Sequence, residues 1–387
     1  MKNIISIVSE QLVPNYIFIK EIAQPSDKLI FISTRRMANK LKTLRDSLSN
    51  NGYDCLEIVL EKDGVEENYT ELYNQIEKKL TENLLPNSEV ISNLTGGTKL
   101  ISITLKEILE KNYPKSIFYY IPWPQNKVIQ LNKNISSKDL KYRVTVSEYF
   151  KVSGINDFES KTITQSVEYT KSFFGYFLNL DSIYLEMIDN LREYRKEKRK
   201  TPYLIADIEK GYSGKIAIPN IKDLLRLISF SLKESDKIYS YEISYITGGW
   251  FEEYIYNMIK SELNLNSDNI LINSTILESE DTNRNEFDVI FTFGNKLFAI
   301  ECKTIISNLK GKDQISIIYK ASALKDSRLG KISANYYIFS LDKSNKDSEE
   351  FNRLSKNMKL SFYNREYFSS EEKHKELISQ IRQAAKD

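Results

Sequence analysis

The sequence predicts an α/β fold in two parts, and three observations predict it. Short β-rich runs alternate with helix-period segments over the first third of the chain. Two later β-rich runs, residues 286–293 and 296–303, flank a Gly294-Asn295 pair. An amphipathic segment around Trp250-Phe251-Glu252-Glu253 precedes them. Strand–helix alternation argues for a parallel, doubly wound sheet. A Gly-Asn pair between apolar runs signals a two-residue hairpin.

In the first part, residues 4–8, 28–33, 55–60, 89–93 and 116–121 read as strands, and 16–23, 36–48, 69–83 and 99–111 as helices. Ile101, Leu105, Ile108 and Leu109 form an apolar stripe at i, i+4, i+7 and i+8. Doubly wound sheets bind ligands at the carboxyl ends of their strands. Three polar loops fall there: one holding Gln11 and Asn15, one holding Thr34 and Arg35, and Asn93-Leu94-Thr95-Gly96-Gly97-Thr98-Lys99. The last runs from a strand straight into a helix, whose first N–H groups can meet an anion. Gly96 and Gly97 permit close backbone approach, while Thr95, Thr98 and Lys99 add hydroxyls and a positive charge. The spacing matches neither a Walker A loop nor a GxGxxG turn. A Gly-Gly turn by itself needs no ligand, but three polar loops at one sheet edge point to a phosphate-bearing one.

Between residues 142 and 245 the pattern blurs. A helix-like stretch at 173–199 ends in the basic run Arg192 to Lys200, and 223–232 gives a second short helix. A solvated helix end is the plain reading of the run; a rim attracting a phosphate backbone is the sharper one.

If the loop of the later hairpin is Gly294-Asn295, Phe293 faces Lys296 and Asp288 faces Glu301, with Glu286 opposite Lys303. Strand period then puts Phe287, Val289, Phe291, Phe298, Ile300 and Cys302 on one face, and Asp288, Glu301 and Lys303 on the other. Facing carboxylates roughly 5 Å apart repel by about 3 kcal/mol at an effective dielectric near 20. A shared divalent cation removes that cost, and Mg²⁺ prefers oxygen ligands. Splayed charges on a solvated face are the alternative. On the upstream helix, Glu252 flanks the apolar face of Phe251, Tyr254, Ile255, Met258 and Ile259, and Glu253 is expected to stay wet. Residues 313–324 read as a helix and 336–341 as a strand.

Composition excludes several classes. The 387 residues are 41% hydrophobic and 28% charged with a net charge of +2, so any nucleic-acid site must be local. The one histidine rules out chemistry that needs a pair, including HExxH and three-His zinc sites. Two distant cysteines, Cys55 and Cys302, give no disulfide framework, and no apolar run approaches a membrane span. A cytoplasmic protein is expected.

Glu252 on a helix, then Asp288, then Glu301-Cys302-Lys303, resembles the PD-(D/E)xK restriction-endonuclease-like core, with Phe287 in place of its proline. The motif Thr95 to Lys99 resembles that of the CRISPR-associated Rossmann-like (CARF) sensor domain. Together they resemble the CARF effector nucleases of type III CRISPR defence. The resemblance implies a sensor at 1–145, and a linker with nuclease at 146–387 whose core spans about 240–345. It implies a homodimer holding cyclic tetra-adenylate through Thr95, Gly96, Gly97, Thr98 and Lys99, with Gln11, Asn15, Thr34 and Arg35 as further contacts. It also implies DNA or RNA cleavage with Mn²⁺ or Mg²⁺ held by Asp288 and Glu301, assisted by Glu252 and Lys303. A non-enzymatic sensor, or an enzyme that degrades the ring, is the alternative.

Overall fold

The computed structural model describes the chain apart from residues 50–51, 62–63, 133–135, 197–200, 212–219, 278–284, 306–316, 319–333, 343–352, 354–356, 358–359 and 387. The helix expected at 313–324 lies outside the described residues except for Ile317 and Ile318, which are helical.

The N-terminal strands are β1 (Asn3–Ile7), β2 (Lys28–Thr34), β3 (Asp54–Leu60), β4 (Val90–Asn93), β5 (Ile117–Tyr120), β6 (Lys127–Gln130) and β7 (Ser136–Asp139). They form one sheet in the order β3-β2-β1-β4-β5-β6-β7. The first five are parallel, and β6 and β7 add an antiparallel edge that the sequence did not suggest. Every residue of β1 is buried, as a central parallel strand between two helix layers requires. The helices are α1 (Val13–Ile22), α2 (Ala38–Leu48), α3 (Tyr69–Asn83) and α4 (Lys99–Asn112). Asn68 caps α3 by accepting from the Glu71 N–H, and α3 turns Leu72, Ile76 and Leu80 inward at a four-residue spacing. Strand order reverses between β1 and β4, so a crevice opens at their carboxyl ends.

α5 (Val146–Val152) follows, opened by a capping box in which Thr145 and Glu148 satisfy each other's backbone N–H. Next come β8 (Phe158–Lys161), α6 (Val167–Asn179) and α7 (Ser182–Lys196). A two-strand ribbon pairs β9 (Tyr203–Leu204) with β10 (Lys237–Ile238), around α8 (Ile205–Gly211) and α9 (Ile221–Leu227). α10 (Ser240–Ser244) passes through a π-helical turn at Tyr245–Gly249 into α11 (Trp250–Glu262). The second sheet uses β8 with β11 (Ile270–Ile276), β12 (Asn285–Phe293), β13 (Lys296–Lys303), β14 (Ala334–Ser340) and β15 (Ser361–Tyr363). Its order is β15-β14-β13-β12-β11-β8, and the chain closes on a helix at Glu371–Ala384.

An aromatic core fixes α11 to this sheet. Trp250 stacks on Phe173 of α6 at 4.4 Å between ring centres, and Phe291 stacks on Phe298 across the hairpin at 4.9 Å. The opposite face of the sheet, with Ile290, Leu297 and Ile338, shares a core with Tyr149 and Phe150 of α5, with Phe18 of α1 and with Phe31 of the first sheet.

Candidate functional site

The hairpin keeps the expected register from Phe293 opposite Lys296 to Val289 opposite Ile300. The ladder ends there. At its end Asp288 Oδ2 accepts the Cys302 N–H at 2.7 Å, so a side chain takes the place of a backbone carbonyl. Face alternation breaks at the same point. Phe287 packs with Ile290, Leu297 and Ala299, whereas Val289 and Phe291 pack with Phe298, Ile300 and Cys302. Phe287 is thus on the opposite face from the one strand period predicts. Across on β11, Asn273 holds φ at +48°, in the left-handed region. The expected Glu286–Lys303 pairing lies past the end of the ladder, and Glu286 instead pairs with Lys161 at 3.8 Å.

Asp288, Glu301, Lys303 and Glu252 line one cleft of about 1040 Å³. Asp288 and Glu301 are buried, at 8% and 3% exposure. Lys303 Nζ donates to Glu301 Oε1 at 2.5 Å and to the Cys302 carbonyl at 3.2 Å, and lies 3.6 Å from Asp288 Oδ2. Burial opposes the Lys303 charge, but Asp288 and Glu301 outweigh it and hold the ammonium's pKa above its ordinary value. Burial, then the Asp288 charge, pushes the Glu252 carboxyl up to about 7, against a hydrogen bond from Asn273 and the charges of Lys303 and Arg195. Glu252 therefore belongs to this cluster.

Glu253 departs from expectation. It is buried at 4% exposure and accepts from Thr164 N and Oγ1, Gln165 N and the Tyr245 hydroxyl. It clamps the 164–165 segment onto α11. No sequence signal marks it, because its partners lie on a segment 89 residues away.

Other lining groups also escaped the sequence. Thr304 Oγ1 donates to the Thr247 carbonyl at 3.1 Å and accepts from Arg192 Nη2 at 2.6 Å. Arg192 also pairs with Asp189 at 2.8 Å. The basic run is not simply a solvated helix end: Arg192 and Arg195 line the cleft, while 197–200 lie outside the described residues.

Among the described residues no group of three or more His, Cys, Asp or Glu is placed to hold a metal. Asp288 and Glu301 nevertheless both reach one positive centre, the Lys303 ammonium. Two hard carboxylates meeting at one cation suit Mg²⁺ or Mn²⁺, which complete their shells with water and substrate phosphate.

At the first sheet the three polar loops follow β1, β2 and β4, on one edge. Gln11, Arg35, Gly97, Thr98 and Lys99 are exposed there, and Thr34 and Thr95 half-buried. Thr98 caps α4 by accepting the Ile101 N–H at 3.3 Å. Thr95 is held from within, donating to Asn93 Oδ1 at 2.6 Å and accepting the Ile121 N–H at 2.8 Å. Asn15 is 1% exposed, and its amide nitrogen donates to Ser6 Oγ and the Ile7 carbonyl, bracing β1 from within. Gly96 and Gly97 serve packing first. A Cβ on Gly96 would stand 2.0 Å from the Ile7 carbonyl oxygen, and one on Gly97 2.5 Å from Ile7 Cγ2, with φ at +76°.

Two family models match the chain: the Card1 CARF domain at residues 4–149, and the Card1-like endonuclease domain at 239–354. Among solved structures, protein VC1899 from Vibrio cholerae is similar over 100% of this chain and 99% of its own, with a TM-score of 0.73 and 16% identity. Can2 from Sulfobacillus thermosulfidooxidans, solved in complex with cyclic tetra-adenylate, is similar over 100% of both chains, with a TM-score of 0.70 and 19% identity. A type III CRISPR defence DNA nuclease activated by cyclic oligoadenylate is similar over 89% of this chain and 47% of its own, with a TM-score of 0.50 and 12% identity. At these identities the likeness is one of fold. A search of curated proteins gave no match.

Proposed function

We propose that this chain, which matches the Card1 CARF domain and the Card1-like endonuclease domain in turn, is a metal-dependent nuclease of type III CRISPR defence, switched on by cyclic tetra-adenylate. The observation that carries the reading is the meeting of Asp288, Glu301 and Lys303, with Glu252 beside them, in one cleft. Asp288 and Glu301 would hold Mg²⁺ or Mn²⁺. Bound there, the ion would supply Lewis-acid polarisation of the scissile phosphate and a more acidic water. Lys303, kept protonated by its carboxylate neighbours, stabilises charge building on the phosphate. Glu252, titrating near neutrality, is suited to hold or pass a proton at the attacking water. The set corresponds to a PD-(D/E)xK core whose proline position is Phe287.

We place the sensor at 1–145 and the nuclease part at 146–387, with its core at about 240–345. Gln11, Thr34, Arg35 and Thr95–Lys99 would face the ring, which two copies would enclose in a homodimer, one edge from each. DNA, RNA or both would be cut, in the cytoplasm. No described helix is long and apolar enough to cross a membrane.

The test is cleavage of labelled DNA and RNA with Mn²⁺ or Mg²⁺, with and without cyclic tetra-adenylate, by wild type and Glu301→Gln. Activator-dependent cleavage lost in the variant is expected. Equal cleavage with and without the ring removes the gating, and no cleavage in either removes the nuclease.

A further inference from the structure

Arg192 and Arg195 stand three residues apart on α7 and so share one helix face, which lines the carboxylate cleft. Their situations differ. Arg192 is tied to Asp189 and Thr304, which fixes the end of α7 against the end of β13. Arg195 is exposed and makes no hydrogen bond or ion pair among the described residues. Its charge still reaches Glu252, whose carboxyl it pulls toward ionisation. A Cβ on Gly248 would lie 3.6 Å from Arg195 Nη1, so the guanidinium hangs over the glycine turn that leads into α11.

The cleft floor carries Glu252, Asp288 and Glu301 against one ammonium, Lys303. That excess of negative charge repels a polyanion, so a nucleic acid needs compensating cations at the rim. Lys161 is engaged with Glu286, and Lys233 Nζ lies over the Tyr239 ring. A guanidinium is also the better phosphate ligand, because its planar fork matches two phosphate oxygens.

We propose that Arg195 binds a backbone phosphate of the nucleic-acid substrate beside the carboxylate site, with Arg192 as the positioning residue that pins its helix. The proposal rests on the nuclease reading and deepens it. Arg192 and Arg195 are then the part of the substrate path contributed by the segment between the two matched domains.

The experiment measures binding of a fluorescein-labelled oligonucleotide by anisotropy. It uses the full chain loaded with cyclic tetra-adenylate, in EDTA, across a salt series. Arg195→Ala should weaken binding roughly tenfold, the loss of one charge-assisted hydrogen-bonding group. It should also lower the slope of log affinity against log salt by about one. Arg195→Lys should restore most of the slope. A purely structural role would leave the slope unchanged. Wild-type affinity and slope in Arg195→Ala overturn the proposal, as does a wild-type chain that binds no oligonucleotide. Parallel cleavage assays with metal separate the two readings. Binding that falls as expected without wild-type cleavage keeps the phosphate contact and sinks the nuclease. Cleavage with an unchanged Arg195→Ala KM and salt slope does the reverse.

Discussion

Asn295 Nδ2 donates to Asn126 Oδ1 at 2.9 Å, although the two residues stand 169 positions apart. The same Asn295 amide donates to the Tyr142 carbonyl at 3.0 Å, and its Oδ1 accepts the Val144 N–H at 2.9 Å. Asn126 in turn donates to the Gly294 carbonyl. The hairpin turn of the second sheet is thus seated on the β5–β6 connection of the first and on the chain leading into α5. Asn295 adopts φ +62°, so Asn295→Gly keeps the backbone and removes only the side chain. Leaving the buried Val144 N–H without an acceptor should cost about 1–3 kcal/mol. Urea unfolding followed by tryptophan fluorescence checks this.

Glu252 and Glu253 are neighbours in sequence with opposite expected phenotypes. Glu253→Ala strips acceptors from Thr164, Gln165 and Tyr245 and should lower stability by about 3 kcal/mol, within the range for breaking a buried charged network. Glu252→Gln should leave the denaturant midpoint near wild type and cut the cleavage rate about 100-fold or more. Paired unfolding and cleavage measurements on both variants decide it. A Glu253→Ala protein of wild-type stability would contradict the clamp.

Gly96→Ala should disable the sensor edge without touching its exposed polar groups. The new methyl would collide with the backbone oxygen of Ile7, so β1 or the loop must shift. Gly97→Ala adds a positive-φ strain of about 1–2 kcal/mol to a clash with the Ile7 side chain. Calorimetric titration with cyclic tetra-adenylate should show weaker binding in both, with the larger loss in Gly96→Ala.

Acid should loosen the join at α5 through Glu148. Burial raises its pKa, but hydrogen bonds from Thr145, Tyr142 and Tyr16 outweigh burial and leave it below the ordinary 4.5. A depressed folded pKa contributes stability that is present above about 4.5 and lost as pH falls through the folded value. Wild type should therefore lose stability progressively below about pH 4.5, and Glu148→Gln should show a shallower acid limb. Denaturation midpoints from pH 3 to 7 test the sign.

The sequence exposed what depends on local pattern. The β1–β5 and α1–α4 alternation, the hairpin register from Phe293 to Val289, and the gathering of Asp288, Glu301 and Lys303 all follow from periodicity and turn chemistry. It hid what depends on distant partners. Glu253 is buried because the segment at residues 164–165 arrives over it. Phe287 changed face because the ladder parts at Asp288, an event that strict alternation cannot express. The inward turn of Arg192 needed the position of Thr304 to become visible.

The seated turn and the carboxylate pair mark opposite ends of one hairpin at the middle of the six-stranded sheet, with roughly six residues, or about 20 Å, between them. Paired strands resist bending, so a small tilt imposed where Asn295 rests would swing Asp288 and Glu301 like the far end of a lever arm. A piece cut away at residue 145 would keep its blade and lose its fulcrum.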